Sequence, residues 1–134
     1  MKKVLLIFVA LITMSLAANA TEYTGTVSNI HMGSKTPDDI KDISFDVTNN
    51  VLTGDVDVPV FPPHHIDLTA PLSVTGSTFT GDATGTVTVF FVNVNFSGYV
   101  IGSVLTDTSL IFHCTATTST GTKVSFDFSG TANQ

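Results

Sequence analysis

The residues richest in chemistry lie in the stretch VPVFPPHHIDLTAP, from Val58 to Pro71. Two adjacent histidines, His64 and His65, follow the pair Pro62-Pro63 and precede Asp67. Imidazole and carboxylate are the usual ligands of zinc and its first-row neighbours, so metal binding is the first chemistry this spacing suggests. If the segment is a strand, His65 and Asp67 share one face while His64, Ile66 and Leu68 share the other. The adjacent histidines then cannot share an ion. A metal site would need His65 and Asp67 plus a ligand from a neighbouring strand, for which His113 and His31 are the candidates. The plainer reading makes Pro62-Pro63 the end of one strand, sets the histidines at the start of the next on a barrel rim, and leaves Asp67 in solvent.

Other chemistry is harder to assemble. A hydrolytic triad needs a nucleophile, a base and an orienting carboxylate in one pocket, and acid–base catalysis needs carboxylates in contrasting environments. Serine and threonine are too abundant here to single out a nucleophile. Cys114, the only cysteine, falls on the apolar side of its segment and reads as a small buried hydrophobe. Asp55 and Asp57 share a face opposite Val56 and Val58, as residues of a solvated strand face do. No glycine has the spacing of a phosphate-binding loop. The expectation is a protein that is not an enzyme and uses no cofactor.

The elements that would position these residues follow from composition. The chain opens MKKVLLIFVALITMSLAANA, with two lysines, an apolar run from Val4 to Ile12, and small residues ending in Ala18-Asn19-Ala20. This reads as a secretory signal peptide over 1–20, since the apolar run falls well short of the about 20 residues that cross a bilayer. No cysteine stands at the cleavage point, so a lipoprotein is not expected. The remaining 21–134 should form one exported domain, in the periplasm, at the outer cell surface or beyond. A lone cysteine offers no intramolecular disulfide, so that domain depends on its core.

Residues 21–134 keep three lysines, no arginine and eleven carboxylates, a net charge of −8. Nucleic acid is excluded as a partner because phosphate backbones are bound largely by clustered Lys and Arg. Anionic membrane surfaces are disfavoured for the same reason.

Thr, Val, Ser and Phe dominate this part, and no segment sustains a 3.6-residue apolar period. Period-two alternation is clearest where Val124, Phe126 and Phe128 oppose Ser125, Asp127 and Ser129. SLIFHCTAT sets Leu110, Phe112, Cys114 and Ala116 against Ile111, His113 and Thr115, which turns His113 outward. Further strands are expected near Tyr23–Ile30, Ile43–Thr48, Val51–Val58, His64–Leu68, Leu72–Thr75, Thr86–Val94 and Tyr99–Leu105. Turn residues such as TNN, TGS and STGT separate them. The expected fold is all-β, a small antiparallel barrel of about eight strands, with a β-sandwich as the alternative. TPDDI, from Thr36 to Ile40, supports one helical turn or a loop.

An apolar residue, then Thr or Ser, then Gly recurs as Tyr23-Thr24-Gly25, Leu52-Thr53-Gly54, Phe79-Thr80-Gly81, Phe96-Ser97-Gly98 and Phe128-Ser129-Gly130. The spacing is too irregular for a solenoid, whereas glycines that let strands bend suit a tightly curled barrel. In TVTVFFVNVNF the apolar face switches sides near Phe90-Phe91. Either a β-bulge restores the register, or an outward stripe of Phe90, Val92, Val94 and Phe96 needs covering.

Three segments carry a family resemblance: Tyr23-Thr24-Gly25-Thr26-Val27, LTGDVDVPV from Leu52 to Val60, and VSFDFSG from Val124 to Gly130. With its exported size and strand number, the chain resembles the calycin-like, lipocalin-like β-barrel domains secreted by Bacteroidetes. The resemblance implies a lipocalin-like barrel and carries over no catalytic or binding residues.

Two functions fit. A hollow barrel would take a small hydrophobic molecule, such as a lipid, against Phe79, Phe90, Phe112 and Phe126. A filled barrel would instead act as an interaction module, meeting a protein, a glycan or another copy of itself through its outer face.

Overall fold

The computed structural model describes residues 20–60 and 62–133. The expected signal peptide therefore lies outside the described residues, apart from Ala20. Eight strands follow in order: β1 (Thr21–Met32), β2 (Ile40–Thr48), β3 (Val51–Val58), β4 (His64–Thr75), β5 (Thr78–Val89), β6 (Val92–Leu105), β7 (Ser109–Thr118) and β8 (Lys123–Ala132). Each pairs antiparallel with the next, and β8 returns to β1, so the sheet is a closed barrel with sequential neighbours throughout. Closure removes sheet edges and the exposed backbone groups they would present. Among the described residues no helix is long and apolar enough to cross a membrane.

Alternation sorts the side chains as the sequence predicts. Val124, Phe126 and Phe128 of β8 point inward, as do Leu110, Phe112, Cys114 and Ala116 of β7, and all are buried. Burial pushes the Cys114 thiol up to about 12, so at neutral pH it is a protonated core residue. Phe45 packs against Phe112, Phe126 and Phe128 with ring centroids 5.2, 6.3 and 4.7 Å away. Phe79 reaches Phe112 at 6.5 Å. Each such ring contributes roughly 1.5–3 kcal/mol by leaving water, and together they fill the middle of the barrel.

The recurring glycines serve these rings. A methyl at Gly102 would lie 1.9 Å from the Phe79 ring, and one at Gly54 would lie 2.3 Å from Phe45. The ring therefore occupies the space a side chain would take on the facing strand. Gly25 and Gly102 also border register shifts, at Gly25/Val27 and Gly102/Val104, so the expected bending is present there as well. Tyr23 closes one end of the barrel: it is fully buried, and its hydroxyl donates to the carbonyl of Thr106 at 2.6 Å.

Two expectations need correcting, and a third resolves to one of its alternatives. Phe90-Phe91 is neither a bulge nor the middle of one strand but the two-residue turn between β5 and β6, with Val89 opposite Val92. A two-residue hairpin loop pairs odd-numbered residues with even-numbered ones, so the inward set passes from Val87 to Val94 and Phe96. The apolar face switches because the chain turns back. His64–Leu68 and Leu72–Thr75 are one strand, β4, containing Pro71. Its pairing with β5 skips from Thr69↔Thr84 to Leu72↔Gly81, which accommodates the missing N–H. Of the two readings of TPDDI the loop holds: residues 36–39 lead into β2, which begins at Ile40.

Substituting Gly102→Ala should lower stability by about 1–3 kcal/mol through overpacking against Phe79. Chemical denaturation would show a lower midpoint with an unchanged slope. An unaltered midpoint would mean that the interior has room to spare.

Candidate functional site

The ladder between β3 and β4 organises the histidine cluster. It sets Asp57 opposite His65 and Asp55 opposite Asp67, so four polar side chains form a square on the outside of the barrel. Ile66 and Leu68 alternate with them into the core, as expected. Nδ1 of His65 lies 2.5 Å from Oδ1 of Asp57, and Nε2 lies 3.2 Å from Oδ1 of Asp67. The hydrogen bond to Asp57 is the main reason that His65 is raised above its ordinary value; partial burial opposes the shift and the Asp67 charge adds to it. His64 faces the rim, where its Nδ1 donates to the Pro62 carbonyl at 2.6 Å.

The expected third ligand is elsewhere. His113 stands on β7, whose neighbours are β6 and β8, while His31 is on β1. Neither strand adjoins β3 or β4. Asp55 takes the third place instead, its carboxylate gathered with His65 and Asp67. Alternation had put Asp55 and Asp57 on one solvated face. What it lacked was the register across the β3–β4 connection, five residues whose prolines mark a break without fixing how the two strands align.

A second polar row crosses β7 and β8. Nδ1 of His113 lies 2.5 Å from Oδ1 of Asp127, and Nε2 lies 2.8 Å from the Thr115 hydroxyl. Asn29, held at φ 49° where the β1–β8 register shifts, donates to the other oxygen of Asp127 at 2.8 Å. Hydroxyl, imidazole and carboxylate thus stand in the order of a hydrolytic triad. Thr115, however, lies in a strand paired on both sides with Tyr99 and Ser125. The backbone N–H groups around it serve those ladders, and acyl transfer needs such donors directed at an oxyanion. The row acts as a cross-strand clasp.

The predicted ligand-lining phenylalanines separate into two groups. Phe79, Phe112 and Phe126 are buried in the packed core. Phe90, predicted to line the interior with them, is 63% exposed on the β5–β6 turn, and Phe91 beside it is 99% exposed. The cause is the turn: at its tip, side chains leave the sheet. Behind Phe90 opens a cleft of about 390 Å³ lined by Val58, Pro59, Pro63, His64, Thr88 and the Asp57–His65 pair. It lies on the rim, against the β3–β4 connection, and its lining is mostly apolar. The conspicuous FF dipeptide could have marked this surface, but no Gly or Asn accompanies it to signal a turn.

Phe90 has φ 57°, a left-handed conformation. The other described non-glycine residues with positive φ are Asn29, Asp42, Asn49 and Asn50, types that tolerate it. No protein-family model, curated protein or solved structure matches the chain.

Partial burial alone would raise the Asp127 carboxyl, but the hydrogen bonds from Asn29 and His113 and the charge of His113 outweigh it and hold the group below its usual value. A lowered carboxyl stabilises the fold above the unfolded value of about 3.9, and that contribution disappears as pH falls through the native value. Thermal midpoints measured from pH 5 to pH 2 should fall less steeply for Asp127→Asn than for the parent protein. Equal slopes would show that the clasp contributes nothing.

Proposed function

We propose that the protein is an exported, non-enzymatic barrel of the calycin-like, Bacteroidetes-secreted kind that binds a protein partner through the rim around Phe90 and Phe91. The observation that carries this reading is the β5–β6 turn. A bulky aromatic in a left-handed conformation costs on the order of 1–3 kcal/mol relative to residues suited to it. Asparagine or glycine would make the same turn without that cost, as Asn49-Asn50 and Gly76 do elsewhere in the barrel. Retaining two phenylalanines there, with Val92 also 63% exposed, suits a surface that inserts apolar side chains into a partner. Aromatic anchors beside a cleft are the usual centres of protein interfaces.

The filled interior favours this reading over a ligand held inside, because a guest among Phe45, Phe79, Phe112 and Phe126 would have to displace their mutual packing. The acidic surface disfavours nucleic acid and anionic lipid as the partner. The N-terminal segment, with its lysines, short apolar run and A-x-A end, supports export, and the closed eight-stranded barrel supports the calycin-like assignment.

Two measurements test the proposal. A photo-crosslinking phenylalanine analogue at position 91 should give a discrete protein adduct in the native host, and the same probe at Ser73 should give none. Phe90→Asn should abolish that adduct, with circular dichroism showing that the barrel fold persists. A bound small molecule that organic extraction removes, seen by native mass spectrometry in place of a protein adduct, would return the function to the ligand-binding barrel.

A further inference from the structure

We infer that Asp55, His65 and Asp67 bind a divalent first-row transition cation on the outer face of the barrel, with Asp57 as the positioning residue for the imidazole. Asp57 and His65 also line the rim cleft, but the cation site rests on a separate observation, the gathering of Asp55, His65 and Asp67.

The geometry begins with the imidazole. When Nδ1–H of neutral His65 donates to Asp57, its Nε2 lone pair faces the Asp67 carboxylate at 3.2 Å. In that tautomer two acceptors face one another, and a cation takes the place of the proton that otherwise joins them. Asp55 and Asp67 add a second conflict, since they are like charges directly opposite on a ladder rung. One ligand atom from each of Asp55, His65 and Asp67 lies within 4.8 Å of the others. Ligand bonds of about 2.0–2.2 Å require that set to contract by rotamer changes alone, and Asp55 and Asp67 are exposed and able to move.

Asp57 supplies what a simple acidic patch lacks. Metal-bound histidines nearly always donate their second N–H to a carboxylate or carbonyl, which fixes the tautomer and strengthens the ligand. Here that partner is in place, directly opposite on the adjacent strand. The clasp at His113 has no equivalent: Nε2 of that ring meets a threonine hydroxyl rather than a carboxylate. The groove beside Asp55 and Asp67 is further lined by Glu22 and Asp46, which gives it a cation-attracting field.

The donor set defines the ion. One imidazole nitrogen and two carboxylates, without thiolate, suit Zn²⁺, Co²⁺, Ni²⁺ or Cu²⁺, whereas Ca²⁺ and Mg²⁺ favour all-oxygen shells. Three protein ligands on an open face leave the remaining position to water. The site resembles a docking or sensing point more than a structural one, because the surrounding fold is already closed.

Titration of the untagged protein with Zn²⁺, and electron paramagnetic resonance with Cu²⁺, test the assignment. One equivalent should bind saturably at sub-millimolar concentration, with a single imidazole nitrogen in the Cu²⁺ spectrum. His65→Gln should remove that nitrogen and the binding, Asp57→Asn should weaken affinity about 10–100-fold, and His113→Gln should change neither. Absence of saturable binding, or a nitrogen signal that survives His65→Gln or is lost with His113→Gln, would overturn the site. The four side chains project from the barrel surface, and circular dichroism of each variant separates lost binding from lost fold.

Discussion

Everything in this barrel depends on fitting phenylalanine rings into a closed ring of eight strands. The interior is narrow, so a large side chain on one strand requires an absent one opposite. Phe79 over Gly102 and Phe45 over Gly54 are the two clearest cases. Without those glycines the rings would be forced off their rotamers; without the rings the glycines would leave voids costing contact energy and definition. Because the strands close on themselves, neither partner can relax by sliding outward, as it could in an open sandwich.

A filled, closed interior settles which parts of the chain are free to vary. Inward positions are committed to packing, and both ladders of every strand are committed to closure. What remains are the outward face of each strand and the turns at either end. The polar chemistry of the chain is found there: the square of Asp55, Asp57, His65 and Asp67 on β3 and β4, and the row of Asn29, His113, Thr115 and Asp127 across β1, β7 and β8. Each places Nδ1 of a histidine on an aspartate of the neighbouring strand. They differ in what faces Nε2, a carboxylate in one and a hydroxyl in the other, and that difference separates a cation-seeking arrangement from a satisfied clasp.

Much of this was legible in the sequence, for a physical reason. Side-chain period two is a property of any strand, so the inward sets of β7 and β8 and the outward position of His113 followed from residue order alone. Register is different. It depends on how many residues each connection uses, and an error of one residue exchanges the two faces. The Asn49-Asn50 turn announced itself through residues that accept positive φ, while Phe90-Phe91 does not, so its hairpin read as one kinked strand. The signal was present in another form: the switch of apolar parity is what a two-residue turn between paired strands must produce. Asp55 and Asp57 were missed as partners of His65 for the same reason, since their alignment depends on the β3–β4 connection.

The parity argument also bears on the meaning of the aromatic turn. Hairpin formation needs two residues between Val89 and Val92 and a positive φ at the first; it needs no aromatic side chain at either. The backbone at Phe90 is held in a left-handed conformation and Phe91 is 99% exposed, so the hairpin itself requires neither ring. Packing accounts for the phenylalanines inside, each against a neighbour that makes room for it. Phe91, almost wholly in solvent, gains nothing comparable from the chain itself. A partner seated on the rim, as proposed above, would bury that ring beside the cleft behind Phe90.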